Sequence, residues 1–246
     1  MPKRALLVGT AGGVVGVLTA TMGITWSFIL DTFLTEINNY LSRLSLYLAS
    51  QFGPLFAPWP QLYGLPIPYP IPFFPSASLF GLSSFVLSIF LIATGILIGV
   101  GFYGTYKIGG GAMGLVGLVF GIIGVPSGAL FIIMGNLTTG YTAPYITIGE
   151  YSYPNLPVYE PNFPVIWIGF VILGISVLLL SSASISVREM TEKPSAFYIA
   201  GILSIMGAIV FITGWLIWPV IMIIGFGLIF IAFILWACVF YSSRNL

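Results

Sequence analysis

The charged residues of this chain avoid its long apolar runs. Seven lysines and arginines and six aspartates and glutamates, thirteen residues in all, lie between six such runs or at their rims. Only 5% of the 246 residues are charged, whereas a soluble domain carries about a quarter. A water-soluble surface cannot be built from so few charges, so the sequence predicts that lipid is the solvent for most of the chain.

Six stretches are long enough to cross a bilayer as helices, because a crossing needs about 20 mainly apolar residues. We predict an all-α integral membrane protein with one membrane domain over residues 1–246 and six transmembrane helices at about 5–29, 78–103, 111–134, 164–187, 196–213 and 217–241. A tight turn before Pro219 separates the last two, since proline would interrupt one continuous helix there. The outer loops then cover about 30–77 and 135–163.

The basic residues predict the orientation of these spans. With the N-terminus inside, Arg43 alone lies outside, and the inner side holds Lys3, Arg4, Lys107, Arg188, Lys193 and Arg244. Because lysine and arginine concentrate in cytoplasmic loops, we predict a multi-pass plasma-membrane protein with both termini cytoplasmic. The tryptophans fit the same arrangement as interface anchors: Trp26, Trp167, Trp215 and Trp218 at the outer rim and Trp236 near the inner rim.

Small residues recur four positions apart in the apolar runs, as in Gly9/Gly13, Gly95/Gly99 and Ala200/Ser204/Ala208. Such spacing lets two helix backbones approach closely, so it predicts tight packing within the chain or against the helices of a partner. Cys238 lies in the last run and is expected to be a small buried hydrophobe.

Two further features of the spans and their rims suggest specific roles. Gly124, Pro126 and Gly128 mark a helix break in the third span, which is either a simple kink or an interruption that exposes carbonyl groups to a substrate. Asn136 begins an Asn-Leu-Thr sequence on the outer side, so glycosylation is expected there if the site is accessible.

The first outer loop has more apolar side chains than a solvated linker would carry. Its first half has the spacing of an amphipathic helix that either lies on the membrane surface or extends the first span outward, with an apolar stripe of Leu34, Ile37, Leu41, Leu44 and Leu48. Its second half alternates prolines with large side chains, which favours an extended backbone. We predict partner contacts along that stripe and at Phe56, Trp59, Tyr63, Ile67, Tyr69, Phe73 and Phe74.

Composition also excludes several kinds of chemistry. The chain has no histidine and one cysteine, which removes imidazole ligands, Ser-His-Asp triads and cysteine-based clusters. Proton or ion pathways normally need ionisable groups inside the bilayer, and none lies deep in a predicted span. We therefore predict no enzymatic activity, no cofactor and no metal site, and the absence of a basic stretch predicts no nucleic-acid partner.

Three functions remain open. The leading hypothesis is a non-catalytic structural or accessory subunit of a larger plasma-membrane complex, whose partners are the lipid bilayer and other membrane subunits or a second copy. The alternative is a transporter or pore for a small neutral or hydrophobic solute, and the third is a component of a cell-surface filament or envelope layer. In its few charges, many isoleucines and proline- and tyrosine-rich outer loops, the chain resembles plasma-membrane proteins of heat- and acid-loving archaea.

Overall fold

A computed structural model describes residues 2–52, 75–137, 145–148, 151–154 and 162–245. Its helices are α1 (Pro2–Phe52), α2 (Pro75–Thr105), α3 (Gly111–Val119), α4 (Val125–Leu137), α5 (Phe163–Ser186), α6 (Pro194–Ile217) and α7 (Pro219–Ser242). A non-helical turn lies within Tyr106–Gly110, and a single π-helical turn at Phe120–Gly124 and 3₁₀ turns at Arg188–Met190 and Ser243–Asn245 complete the helical part. In the segment predicted to be the second outer loop, β1 (Tyr145–Ile148) and β2 (Tyr151–Pro154) pair antiparallel as a short hairpin.

The described chain contains five helical segments long and apolar enough to cross a membrane, so a membrane-embedded, helical protein is confirmed. One segment, Leu79–Leu137, has 59 residues, far more than a single crossing needs. It reverses direction at Gly109 and Gly111, whose φ values of 114° and 56° lie in the left-handed region that glycine adopts readily. After the reversal, α3 and α4 pack back along α2, so this segment is a helical hairpin.

The helices form a closed antiparallel ring. Each helix packs on the next in sequence, and α7 closes the ring against α1. Proline is the first residue of four of the helices, α1, α2, α6 and α7, because it lacks an N–H group and the first turn of a helix leaves that group without a partner. Pro219 begins α7 after the single extended residue Trp218, which confirms the predicted tight turn between the last two spans.

Aromatic side chains fill the centre of the ring in two groups. The end of the ring where α1 contacts the C-terminal turn is called inner and the opposite end outer, after the predicted orientation. The outer aromatic cluster contacts across α1, α2, α5, α6 and α7 and consists of Trp26, Phe33, Phe80, Phe163, Phe170, Phe211 and Phe226. The inner aromatic cluster joins α2, α6 and α7 and consists of Phe102, Phe197, Phe233, Trp236 and Phe240. These clusters hold opposite sides of the ring together where the helix backbones are not in direct contact.

Two tryptophans predicted to anchor the membrane rims lie inside the bundle instead. Trp26 and Trp236 are 0% and 2% exposed, and their indole nitrogens donate hydrogen bonds to Ser84 Oγ at 2.7 Å and Ser184 Oγ at 3.0 Å. A buried serine hydroxyl satisfies the indole N–H as well as a headgroup would, so the interface interpretation was wrong for this pair. The exposed rings of Trp167 and Trp218 remain suited to it.

Cys238 also lies on the opposite face from the one predicted. It is exposed on α7, whereas the neighbouring Trp236 and Val239 are buried. Because α7 is apolar all round, the hydrophobic pattern carries no signal for which side faces the core. The prediction of a buried cysteine was therefore wrong.

Candidate functional site

The outer end of α1 extends past the rest of the ring. Along the α1–α2 pair, Gly9 meets Gly101, Trp26 meets Ser84, and the Ser76 hydroxyl donates to the Glu36 carboxylate. This antiparallel register brings α1 level with the start of α2, at Pro75, close to residue 37. Residues 38–52 therefore continue beyond α2 for about 22 Å, at about 1.5 Å per residue. We call this segment the α1 extension.

The α1 extension occupies the position of the predicted amphipathic helix and shows which of its two predicted placements is found. We predicted either a separate surface helix or an outward continuation of the first span, and α1 is continuous from Pro2 to Phe52. Thr32 donates its hydroxyl to the Phe28 carbonyl at 2.9 Å, a bond of the helix interior. The helix therefore passes straight through the predicted boundary of the first span.

A groove of about 560 Å³ lies at the foot of the α1 extension. Its α1 wall combines apolar and polar side chains, and its other wall comes from the start of α5 and the α6–α7 turn; the lining residues are Leu30, Asp31, Leu34, Thr35, Asn38, Phe163, Ile217 and Trp218. The groove is thus a mixed surface, with one carboxylate among large apolar groups.

The structure reaches only part of the predicted partner surface. Leu34 is exposed and lines the groove, whereas Ile37 is partly buried against the core. The remaining predicted contacts lie outside the described side chains: Leu41, Leu44, Leu48, Phe56, Trp59, Tyr63, Ile67, Tyr69, Phe73 and Phe74.

The predicted helix break is a π-helical turn in an otherwise continuous span. The Val125 amide donates to the Phe120 carbonyl, one residue further back than in an α-helix, just before Pro126. Phe120–Gly124 is followed directly by α4, and Val125 keeps helical dihedral angles. A proline cannot bond to the preceding turn, and one extra residue in that turn relieves the misfit.

The glycines beside this turn serve close helix packing. A Cβ on Gly124 would lie 2.4 Å from Ser176 Oγ, and one on Gly128 would lie 2.8 Å from the Gly169 carbonyl oxygen. Both contacts are with α5, so these residues bring α4 and α5 together. This is the within-chain packing that the four-residue spacing predicts.

Asn136 does not fit a glycosylation site in the folded bundle. It is 7% exposed, and its Nδ2 donates to the Ile132 carbonyl at 2.7 Å. A glycan would be attached through that same nitrogen. The burial of Asn136 and this bond do not provide the accessibility on which the predicted glycosylation depends.

A small cavity of about 60 Å³ lies at the centre of the ring, where α1, α2, α4, α5, α6 and α7 all contribute. Phe170, Phe211 and Phe226 of the outer aromatic cluster line it, as do Phe233 and Trp236 of the inner cluster. The cavity therefore lies between the two clusters. Its few polar neighbours are the hydroxyls of Thr19, Thr94 and Ser204.

Two of these hydroxyls are satisfied within the protein and one is not. Thr19 Oγ1 and Thr94 Oγ1 are 2.7 Å apart, and Thr19 also donates to the Val15 carbonyl at 2.9 Å. Ser204 is fully buried, and its hydroxyl is the one buried side-chain polar atom without a hydrogen-bond partner among the residues described. Leaving such a group unpaired costs about 1–3 kcal/mol.

The inner end of the bundle collects the basic residues that the sequence assigned to one side. Lys107 lies over the rings of Tyr103 and Tyr106, and Arg244 lies 3.8 Å from the Tyr241 ring centroid. The Glu192 amide donates to Ser243 Oγ at 3.2 Å, which ties the α5–α6 turn to the C-terminal end of the chain. Cations on aromatic faces beside short turns suit a membrane–water interface.

Sequence reasoning missed the cavity and the unpaired hydroxyl of Ser204. The spacing of Ala200, Ser204 and Ala208 predicted only a smooth packing face, and it places these residues correctly inside the bundle. The sequence holds no signal for the gap between two layers of rings, since their spacing depends on six helices at once. No protein-family profile, curated protein or solved structure matches this chain.

Proposed function

We propose that this chain is a non-catalytic structural or accessory subunit of a plasma-membrane complex, and that its partner binds along the α1 extension. The observation that carries the proposal is the continuity of α1 through Phe52, well past the start of α2. A helix of about 15 residues is marginal in water by itself. A partner that covers the apolar stripe of the α1 extension would supply the missing packing.

The groove at the foot of the α1 extension supports the same contact. Leu34, Ile217 and Trp218 present large apolar surface there, with exposed fractions of 36%, 70% and 56%. Asp31 and Asn38 provide polar groups beside them. Binding surfaces combine apolar anchors with a polar rim in this way, so the partner's contact would continue from the extension into the groove.

The test is extraction of the tagged full-length chain from its native membranes in mild detergent, followed by native mass measurement. We expect a second polypeptide, or a second copy, at a fixed ratio. Ser42→Pro, on an exposed position of the α1 extension, should interrupt that helix and release the partner, and Ser42→Ala is the matched control. Ser42→Ala should leave the unfolding free energy of the protein within about 0.5 kcal/mol of the wild type. For Ser42→Pro, circular dichroism should show that the helices of the ring are retained while the α1 extension is lost.

A monomer that co-purifies with nothing would refute the subunit role. A complex that survives Ser42→Pro unchanged would place the partner contact elsewhere on the chain.

We further propose six spans with both termini in the cytoplasm. The support is the reversal at Gly109 and Gly111 and the contact of α1 with the C-terminal turn, which puts both chain ends at the basic end of the ring. The segment 111–137 is about 40 Å long as a helix, enough to cross a hydrocarbon core of about 30 Å.

Single cysteines in a Cys238→Ser background test this topology in intact cells with a membrane-impermeant maleimide. Ser42→Cys should be labelled from outside, and Ala112→Cys and Ser195→Cys only after permeabilisation, because all three positions are exposed. External labelling of Ala112→Cys would contradict the six-span arrangement.

The second candidate is a transporter for a small neutral solute, and the central cavity is the observation that favours it. Pro126 is not among the cavity-lining residues, so the predicted route through a broken helix has no counterpart there. Flux through purified protein in liposomes above that of empty liposomes would support this candidate over the first.

A further inference from the structure

We propose that the partner places a basic side chain in the groove at the foot of the α1 extension, against the carboxylate of Asp31, and that this partner is a different polypeptide rather than a second copy. The inference rests on the proposed subunit role and specifies the chemistry of the partner's surface. The charge of the groove and the distribution of charges on the outer side of this chain carry it.

Asp31 lies on the side of α1 that lines the groove. The groove takes five residues from α1: Leu30, Asp31, Leu34, Thr35 and Asn38. They recur at three- and four-residue intervals, which puts them on one side of the helix. Asp31 is half-buried, and the groove exposes polar as well as apolar surface. A group that enters the groove can therefore contact this residue.

The Asp31 carboxylate has no counter-ion in the part of the chain that the structure describes. The ion pair found there joins Arg188 and Glu189, at the opposite end of the ring. Glu36, the next acidic residue of α1, accepts a hydrogen bond from the Ser76 hydroxyl. Asp31 has no such bond to another described side chain, so its charge is left for a partner to neutralise.

A second copy of this chain does not supply the missing cation. In the proposed topology the outer side holds Asp31, Glu36, Glu150 and Glu160 but only one basic residue, Arg43. Arg43 lies about 18 Å beyond Asp31 along α1, at about 1.5 Å per residue. Two copies in one membrane share an orientation, so a second copy packed beside α1 would carry its own Arg43 at that same height above the groove. The basic residue level with Asp31 must therefore come from a different polypeptide.

Covering the groove without a cation would be unfavourable. A partner that fills it removes the Asp31 carboxylate from water, and an unpaired charge in such surroundings is far more costly than one that is paired and hydrogen-bonded. A basic side chain on the partner provides that pairing. The contact proposed for the groove thus requires a positive charge at this point of the partner's surface.

The other groove walls suit a long basic side chain. Leu34 and Ile217 offer apolar contact to its methylene groups, and the exposed indole of Trp218 offers an aromatic ring to its charged end. A guanidinium also binds both oxygens of one carboxylate, so arginine matches the groove better than lysine does. The groove volume of about 560 Å³ leaves ample room for one such side chain.

The test uses the full-length chain and its partner, extracted together in mild detergent. Dilution of the complex followed by native mass measurement gives its dissociation constant. Asp31→Asn keeps the shape of the side chain and removes its charge, so we expect the dissociation constant to rise by about tenfold or more. Added salt should weaken the wild-type complex more than the variant complex, because only the wild type has the ion pair to screen.

Two further variants serve as controls. Asp31→Glu restores the charge and should retain most of the affinity. Glu192→Gln changes the net charge by the same amount at an exposed position of the α5–α6 turn, at the inner end of the ring, and should leave the dissociation constant unchanged. Circular dichroism checks that each variant keeps the helices of the wild type.

An unchanged dissociation constant in Asp31→Asn would overturn the inference and leave the subunit role standing, as would a complex made only of copies of this chain. Equal losses in Asp31→Asn and Glu192→Gln would also overturn it, since total charge rather than the groove would then control binding. A monomer without any partner would refute the subunit role itself and this inference with it.

Discussion

The inner and outer halves of α1 pack by different means. In the inner half, α1 approaches its neighbours backbone to backbone: a Cβ on Gly9 would lie 2.6 Å from Gly101 Cα, and one on Gly13 would lie 2.8 Å from the Phe233 carbonyl oxygen. In the outer half, a Cβ on Gly23 would instead meet the ring of Phe226, at 2.3 Å. The nearest obstacle to an added methyl group is therefore a neighbouring helix at Gly9 and Gly13, including its backbone, and a ring alone at Gly23.

These two kinds of contact differ in how easily the neighbouring atoms can move. Backbone atoms of two packed helices cannot move apart without shifting whole helices, whereas a ring can rotate by itself. The outer groove lies beside the outer half of α1, where large side chains line both of its walls.

The largest effect should come from a methyl group in the inner half. Gly9→Ala forces α1 away from Gly101, and because the obstacle is backbone we expect a loss of about 2–3 kcal/mol in unfolding free energy, at the upper end of overpacking costs. Unfolding of purified protein by titration with a denaturing detergent, followed by circular dichroism, measures it.

The matched control for Gly9→Ala is Gly227→Ala on α7. A Cβ at Gly227 would have no heavy atom within 4 Å. In a helix, alanine is more stable than glycine by up to about 1 kcal/mol. This variant should therefore be as stable as the wild type or slightly more stable. Equal losses in the two variants would mean that backbone contact is not what distinguishes the inner half.

An intermediate effect is expected from the outer aromatic cluster. Trp26→Phe removes the indole N–H that bonds to Ser84, but the Ser84 hydroxyl still donates to the Phe80 carbonyl at 2.7 Å, so no polar group is left unpaired. We expect a loss of about 1–2 kcal/mol from the hydrogen bond and the smaller ring. A double-mutant cycle with Ser84→Ala should give a coupling energy near 1 kcal/mol, and strict additivity would contradict it.

The smallest effect should come from a methyl group in the outer half of α1. Gly23→Ala requires only a movement of the Phe226 ring, so we expect a loss of about 1 kcal/mol or less. The second substitution Phe226→Leu should restore part of that loss by making room. A cost equal to that of Gly9→Ala would remove the distinction between the two halves.

The local sequence predicted where helices and turns occur, but not which side of each helix packs against other helices. The turn at Pro219 and the basic inner turns are where the sequence placed them, because proline and charge act at their own positions. Trp26, Trp236 and Cys238 were all assigned to the wrong surroundings. A helix that is apolar all round has no amphipathic stripe, so nothing in its sequence reveals which side meets other helices.

The candidate site divides in the same way. The outer amphipathic stripe through Leu34 was readable because its polar and apolar residues alternate with helical period. The cavity and the unpaired hydroxyl of Ser204 could not be predicted in this way, because both depend on how residues from six helices pack around one space. Asn136 belongs to this second group, since its sequence motif gives no information on burial.

By itself, then, the sequence determined that this chain is helical and membrane-embedded, because backbone groups in lipid must bond within their own segment and charges must stay outside it. The tertiary structure alone decided that α1 runs unbroken through the predicted boundary at about residue 30, that glycines bring backbones into contact in its inner half, and that rings line a cavity at the centre. The physical reason is that bilayer insertion depends on each segment separately, whereas packing depends on the shapes of all neighbours together.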